Sequence, residues 1–515
     1  MDDVVAASGE PQAENKNQQS KLTRVLMIAV WAVAVIAVLV PVWSVEYVPL
    51  LDYPNHLARA FVLHEIHNPA FKFDQWMTAD WGPYPYLGMD VTMSLLLRIF
   101  PIMVAGRIFM SLCLLAIPAG TWIFLREASP GNEHMALWSL LLSYDSYFLE
   151  GFLNFYLSIG VCFFALGLWM RYYNEPSRRK WVEAALGILL LYFTHAMGFG
   201  AVGVLVGSYV IIGERNIKKI VLNGMLFLPP TLLAIGFMKD QSSVRSDMNF
   251  LPWEDKINAL TVPLHSYSEQ LDDVTLYVIP IAIIAAMLWS KERGWSWRWA
   301  GATSILLTTY FALPSNYGQS WDLDIRLLPI IGVLGVTALC RMGARGRWLA
   351  PVALALVIAR ATVVTQHFKE AEPELKAIAQ AFAMTPRDVK VLPIVADPMH
   401  ADTDEIDPIL RPWTHFWAYG AIERGWYVPY LFAIKGQIPL KYKLDLYAPD
   451  GFWDLRYKDA PDWYDVQTDY DYVWAYNVPQ YEKALEEIGD VVVKQGDLVL
   501  IKIRKTTPTT EERRK

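Results

Sequence analysis

Asp52 and His56 stand four residues apart in Pro49-Leu-Leu-Asp-Tyr-Pro-Asn-His56, just after a long apolar run. In a helical turn that spacing puts both side chains on one face. A carboxylate so placed can take a proton from a hydroxyl as general base, or with His56 help hold a divalent metal ion. The same Asp-x-Pro pattern is also a good helix start, with Asp52 as a cap. A second group is Ser143-Tyr-Asp145-Ser-Tyr-Phe-Leu-Glu150-Gly-Phe-Leu-Asn154, which offers Asp145 and Glu150 for substrate or serves as an interfacial turn rich in aromatics. A third is His195, a phosphate or hydroxyl contact, or a histidine satisfied within the bundle. The fourth is Arg326 in Trp321-Asp-Leu-Asp-Ile-Arg326. Its forked donors suit a phosphate, and Asp322 or Asp324 beside it suits a structural ion pair. Trp413, Trp417, Tyr419, Trp426, Tyr427 and Tyr430 suit the flat faces of sugars or the packing of a core. The acids between Asp445 and Asp471 lack regular calcium-ligand spacing and read as a solvated loop.

The elements that must position these groups are membrane spans. Of 515 residues 54% are hydrophobic and 19% charged, with 21 Trp and 26 Tyr; mean hydropathy is +0.24. The charge deficit is concentrated in long apolar runs, as in a polytopic α-helical membrane protein carrying a soluble part. The net charge of −7 arises mostly in the soluble part, and nothing points to a nucleic-acid partner. Cys113, Cys162 and Cys340 all lie in apolar runs, so buried thiols are expected and no disulfide framework.

About eleven transmembrane helices are predicted, at 24–44, 103–125, 135–149, 154–171, 181–195, 197–213, 219–238, 274–290, 297–313, 325–340 and 347–364. Alternate loops carry the basic residues: Arg171 with Arg178-Arg179-Lys180, Arg215 with Lys218-Lys219, Lys291 with Arg293 and Arg298, and Arg341 with Arg345 and Arg347. The positive-inside rule puts these loops and the N-terminus in the cytoplasm, in a multi-pass protein of the plasma (inner) membrane. Residues 1–23 are polar and read as a disordered cytoplasmic tail, followed by a retained signal anchor. Leu87–Phe100 is apolar but carries Asp90 and Arg98, and counting it as a span would invert every later loop. It reads as an interfacial segment within a long first outer loop, 45–102, in a membrane domain of 24–364.

Residues 365–505 read as an extracytoplasmic α/β domain and 506–515 as a polar tail. An amphipathic helix is expected at 374–384, strands at 389–396 and 470–476, a polar loop through 408, a helix at 479–489, and a hairpin pairing 490–494 with 498–503 across Gln495-Gly496-Asp497. There is no Walker A, no GxGxxG after a strand, no GxSxG, no CxxC and no HExxH. His64 and His67 stand at i, i+3, the wrong spacing for a zinc helix. No cytoplasmic loop is long enough to fold, so a donor substrate must be met on the outer face.

A short tail, one span, a long outer loop with an early acid, an apolar segment ending Leu97-Arg-Ile-Phe-Pro101 and Arg107 opening the next span resemble the GT-C class of polytopic glycosyltransferases. The likeness is to the bacterial branch that includes aminoarabinose and protein mannosyl transferases. It implies a polyprenyl-phosphate sugar donor, an acceptor hydroxyl on a glycan, lipid or protein, and inversion at the anomeric carbon. Asp52 matches the first-loop acid; Arg326 corresponds loosely to the basic residue that holds the lipid phosphate, with His195 beside it. The commoner pattern has two adjacent acids, whereas Asp52 is flanked by Leu51 and Tyr53, which leaves a metal ion open. The rival reading is a non-enzymatic flippase-type protein of envelope polysaccharide export among membrane lipids. A transporter should hold its ionisable groups near the bilayer midplane, whereas these lie at the outer ends of spans.

Overall fold

A computed structural model describes residues 10–241, 248–289, 294–317, 322–396, 413–433, 436–449 and 460–505. The expected polar loop through 408, Trp321 and the 506–515 tail fall wholly or largely outside them. Within them the chain is predominantly helical.

Among the described residues seven helices are long and apolar enough to cross a membrane: Lys21–Trp43, Ile102–Ala128, Leu153–Asn174, Ala196–Gly213, Ile217–Phe237, Glu269–Trp289 and the apolar part of Gly346–Met384. The helices at Arg178–Thr194, Trp297–Ala312 and Leu328–Thr337 coincide with further apolar runs but are shorter. The run at 135–149 forms no long helix. It is a ten-residue 3-10 helix, Glu133–Leu142, then a turn and the short helix Ser146–Leu149. At about 2.0 Å per residue it spans roughly 20 Å, less than a hydrocarbon core. It is apolar because residues His134 to Leu142 are all buried in the bundle, and hydropathy does not separate such a segment from a lipid-facing one. The N-terminal stretch expected to be disordered is helical from Glu10, since its Gln, Glu, Lys and Ala residues prolong a helix already nucleated by the apolar run.

The bundle packs through small residues. A Cβ on Gly120 would lie 2.1 Å from the Gly160 carbonyl, and one on Gly160 would lie 2.4 Å from the backbone of Ala116. Helices Ile102–Ala128 and Leu153–Asn174 therefore touch backbone to backbone. On the other side Leu26, Val33, Ile36 and Val40 of the first helix are exposed, the surface a lipid-facing helix requires.

The loop after the first helix is structured. Helix Tyr53–Glu65 has Pro54 in its first turn. Helix Gly88–Leu96 buries Met89, Asp90 and Met93 and exposes Val91 and Leu95. The strand Met77–Ala79 pairs antiparallel with Leu440–Tyr442, which stitches the loop to the C-terminal part. Helix Ala350–Ala379 runs through the expected domain boundary without a break. The sheet beyond it has the order Val391–Val395, Tyr472–Tyr476, Leu498–Ile503, Gly489–Gln495, the first pair parallel and the others antiparallel. Pro393 sits in the edge strand, where a missing N–H is tolerated.

Candidate functional site

Asp52 occupies the N-cap position of helix Tyr53–Glu65, but its side chain caps nothing. Its Oδ1 lies 3.2 Å from Nε2 of His415, a residue of the C-terminal part. The backbone beside it is fixed by one tight turn: Leu51 N–H donates to the Leu149 carbonyl at 3.1 Å, and Asp52 N–H to the Glu150 carbonyl at 2.9 Å. The second acidic group is thus, in part, the platform on which the first stands. Glu150 contributes its backbone carbonyl. Asp145 is fully buried and accepts a hydrogen bond from Phe148 N–H at 3.0 Å, so it caps the short helix. Its carboxylate interacts with Arg360.

The far end of the same turn carries Arg326. Its guanidinium lies 4.7 Å from the centre of the Phe152 ring and 5.6 Å from that of Phe155. Tyr147 donates to the Ile325 carbonyl at 2.8 Å and pins the residue before it. The expected pairing with its neighbouring acids is absent. Asp324 is bound instead to Lys256 at 2.9 Å and to Ser315 at 2.8 Å. Among the described residues Arg326 makes no salt bridge, and its Nε is buried without a partner. Asp322 lies within electrostatic reach, and burial pushes its carboxyl above the usual range while Arg326 opposes the shift. Arg326 also interacts electrostatically with Asp52. The turn 149–155 thus holds the carboxylate and the guanidinium at its two ends.

His195 lies beside Arg326, Nε2 to Nη1 at 3.2 Å. It heads helix Ala196–Gly213, where its Nδ1 accepts from Met197 N–H at 3.2 Å. With Nδ1 accepting, the ring proton belongs on Nε2. Two donors then point at each other, an arrangement that an anion accepting from both satisfies. The Tyr86 and Phe155 rings fix the imidazole, at 4.9 and 5.4 Å.

His56 sits among these groups but not against Asp52. Its Nδ1 accepts from Arg59 Nη1 at 3.0 Å, and Arg59 Nε donates to Asp90 at 3.0 Å. Burial holds the His56 imidazole well below its usual pKa, and Arg59, His415 and Arg326 push the same way. His56 and Arg326 are half-buried. As metal ligands Asp52 and His56 fit poorly, because Oδ1 faces His415 and Nδ1 faces a guanidinium. Among the described residues no three His, Cys, Asp or Glu side chains gather to hold an ion.

The residues missed from the sequence are His415, Asn55, Arg59 and Asp90. Arg59 and Asp90 are a buried pair, their side chains 4% and 0% exposed, and a charge within an apolar segment is the signal by which Asp90 is found. His415 carried no signal beyond its aromatic neighbours. Those neighbours are mostly core: Trp417, Tyr419, Trp426 and Tyr427 are buried. Asp462 caps helix Trp463–Asp469, and Asp469 and Asp471 accept backbone N–H groups of Tyr447 and Lys390, so these three acids hold loops together. Comparison of the chain with family models and with curated proteins finds no match.

Proposed function

We propose that this chain is a membrane glycosyltransferase of the GT-C kind, moving a sugar from a polyprenyl-phosphate donor to an acceptor hydroxyl on the extracytoplasmic face. The observation that carries the reading is the turn 149–155. It binds the backbone of Asp52 at one end and packs Arg326 at the other, and the two side chains interact electrostatically, which supports reading them as the base and the anion holder of one site. The alternation of basic loops supports the outward orientation of that site.

Arg326 and His195 receive the donor phosphate through their opposed N–H groups. An apolar cavity of about 290 Å³, lined by Trp138, Leu142, Leu264, Pro280, Leu328 and Val336, suits the prenyl tail. Asp52 takes the proton of the acceptor hydroxyl while the oxygen attacks the anomeric carbon. The new C–O bond forms as the bond to the phosphate oxygen breaks. The lipid phosphate leaves with its electron pair, its charge held by Arg326, and the anomeric configuration inverts. A base of this kind contributes a factor of about 10² to 10⁴, and orientation and charge stabilisation supply the rest.

The test is purified protein in lipid nanodiscs with radiolabelled polyprenyl-phosphate sugars and envelope acceptors. Asp52→Asn should insert and fold normally and lose transfer. Wild-type transfer by Asp52→Asn refutes the assignment of the base. Lipid binding without modification of any acceptor points to the export reading instead.

A further inference from the structure

Asn55 lies one turn into the helix that Asp52 begins, and it is completely buried. Its amide orientation is fixed by two backbone groups. Oδ1 accepts from Phe432 N–H at 2.9 Å, and Nδ2 donates to the Tyr430 carbonyl at 2.8 Å. A flipped amide would set donor against donor and acceptor against acceptor. The second hydrogen on Nδ2 is directed at Nδ1 of His415, 3.3 Å away. That nitrogen must therefore accept, and the ring proton is placed on Nε2. Nε2 is the atom 3.2 Å from Asp52 Oδ1. The His415 ring cannot swing away, because Trp417 and Phe432 stand against it with centroids at 5.6 and 5.3 Å.

We propose that Asn55, His415 and Asp52 form an orienting relay, in which the C-terminal domain fixes the His415 tautomer and His415 in turn aims the Asp52 carboxylate into the chamber. His415 is a positioning residue. Its Nε2–H stands 3.2 Å from Oδ1 and attracts the carboxylate electrostatically, and no proton travels along the relay. The carboxylate keeps solvent contact, its side chain 16% exposed, so its second oxygen is available to a hydroxyl. The functional meaning of the relay rests on the transferase reading; its hydrogen-bond order does not. The Asn55 contacts on Tyr430 and Phe432 also explain why the C-terminal part must dock for the site to be complete. A residue 360 positions downstream of Asn55 supplies the group that orients the first-loop acid.

The decisive measurement is solid-state NMR of the full chain in bilayers with nitrogen-15 histidine, the His415 signals being identified by their loss in His415→Gln. The relay requires a bare Nδ1 and a protonated Nε2. In Asn55→Asp a carboxylate replaces the donating amide, and Nδ1 should gain a proton. A wild-type His415 protonated on Nδ1, or a His415 spectrum unchanged by Asn55→Asp, overturns the relay. The second arm is turnover with a radiolabelled polyprenyl-phosphate sugar. His415→Gln, whose amide can donate as Nε2–H does, should keep turnover within about tenfold of wild type, whereas His415→Leu should lose on the order of 10²-fold with the donor KM unchanged. Equal losses in the two variants overturn the positioning role. If the NMR pattern holds and wild type transfers no sugar, the relay stands and the transferase reading falls.

Discussion

A Cβ on Gly151 would lie 2.8 Å from the backbone nitrogen of Asp52 and 2.7 Å from that of Tyr53. Gly151 also has φ +84°, a conformation that side chains rarely adopt. The bare turn lets residues 51 and 52 reach the Leu149 and Glu150 carbonyls. Gly151→Ala must push the two segments apart, at a strain of about 1–3 kcal/mol and with the carboxylate displaced. Transfer should fall by about tenfold or more, since small misplacements of reacting groups are costly. Gly131→Ala is the control: Gly131 has φ +91° and nothing within 4 Å of a Cβ, so it carries similar strain far from the turn and should leave turnover alone. Assay of both variants, normalised to folded protein, checks the difference.

Arg326→Lys keeps the charge and loses the fork. The guanidinium carbon lies 4.7 Å from the centre of the Phe152 ring and Nη1 lies 3.2 Å from His195, and an ammonium does not reproduce both contacts. Hydrogen bonds to charged groups are worth about 1.5–3 kcal/mol, so the donor KM should rise roughly 10- to 100-fold. Donor titration in nanodiscs measures it, and unchanged donor affinity would remove Arg326 from the phosphate site.

The elements were more legible than the site. Apolar runs located most helices, because a chain that buries backbone in lipid must write long hydrophobic stretches. The strands at 391–395, 472–476 and 489–503 followed from β-rich runs and the Gly496 turn. The 3-10 segment at Glu133–Leu142 was not legible as such, since protein core and lipid core select the same residues. In the site, the charges were visible and their partners were not. Whether Asp52 capped a helix or faced a chamber depended on His415, which pairs with it only through folding of the C-terminal part. Asp145 illustrates the opposite case: the same residue type in a similar sequence setting turns out to be a buried cap.

Asp90 and Arg59 test the framework of the first loop. They are bonded at 3.0 Å and almost wholly buried. Asp90→Leu alone strands a buried guanidinium and should destabilise the fold by about 3–5 kcal/mol. Arg59→Met combined with Asp90→Leu should recover most of that loss, because apolar residues of similar volume replace a buried pair at little cost. Thermal unfolding of the single and double variants in one detergent gives the comparison. A double variant as unstable as Asp90→Leu would contradict the pairing as drawn.

His56 gives the chamber a pH dependence whose sign follows from its surroundings. Burial, then Arg59, His415 and Arg326, hold its folded pKa well below that of a free imidazole, about 6.5. Below about pH 6.5 the unfolded chain therefore binds a proton at this position that the folded chain refuses. Stability is unaffected by His56 above that pH and falls as the pH drops through it, until the depressed folded pKa is reached. Replacing the ring by an uncharged amide removes the differential proton uptake. His56→Gln should accordingly lose less stability than wild type between pH 7.5 and 5, whatever its stability at pH 7.5. Denaturation midpoints of both proteins across that range measure the difference in slope. Parallel curves would mean that His56 is charged in the folded chain, which is incompatible with a ring that accepts from Arg59 at 3.0 Å.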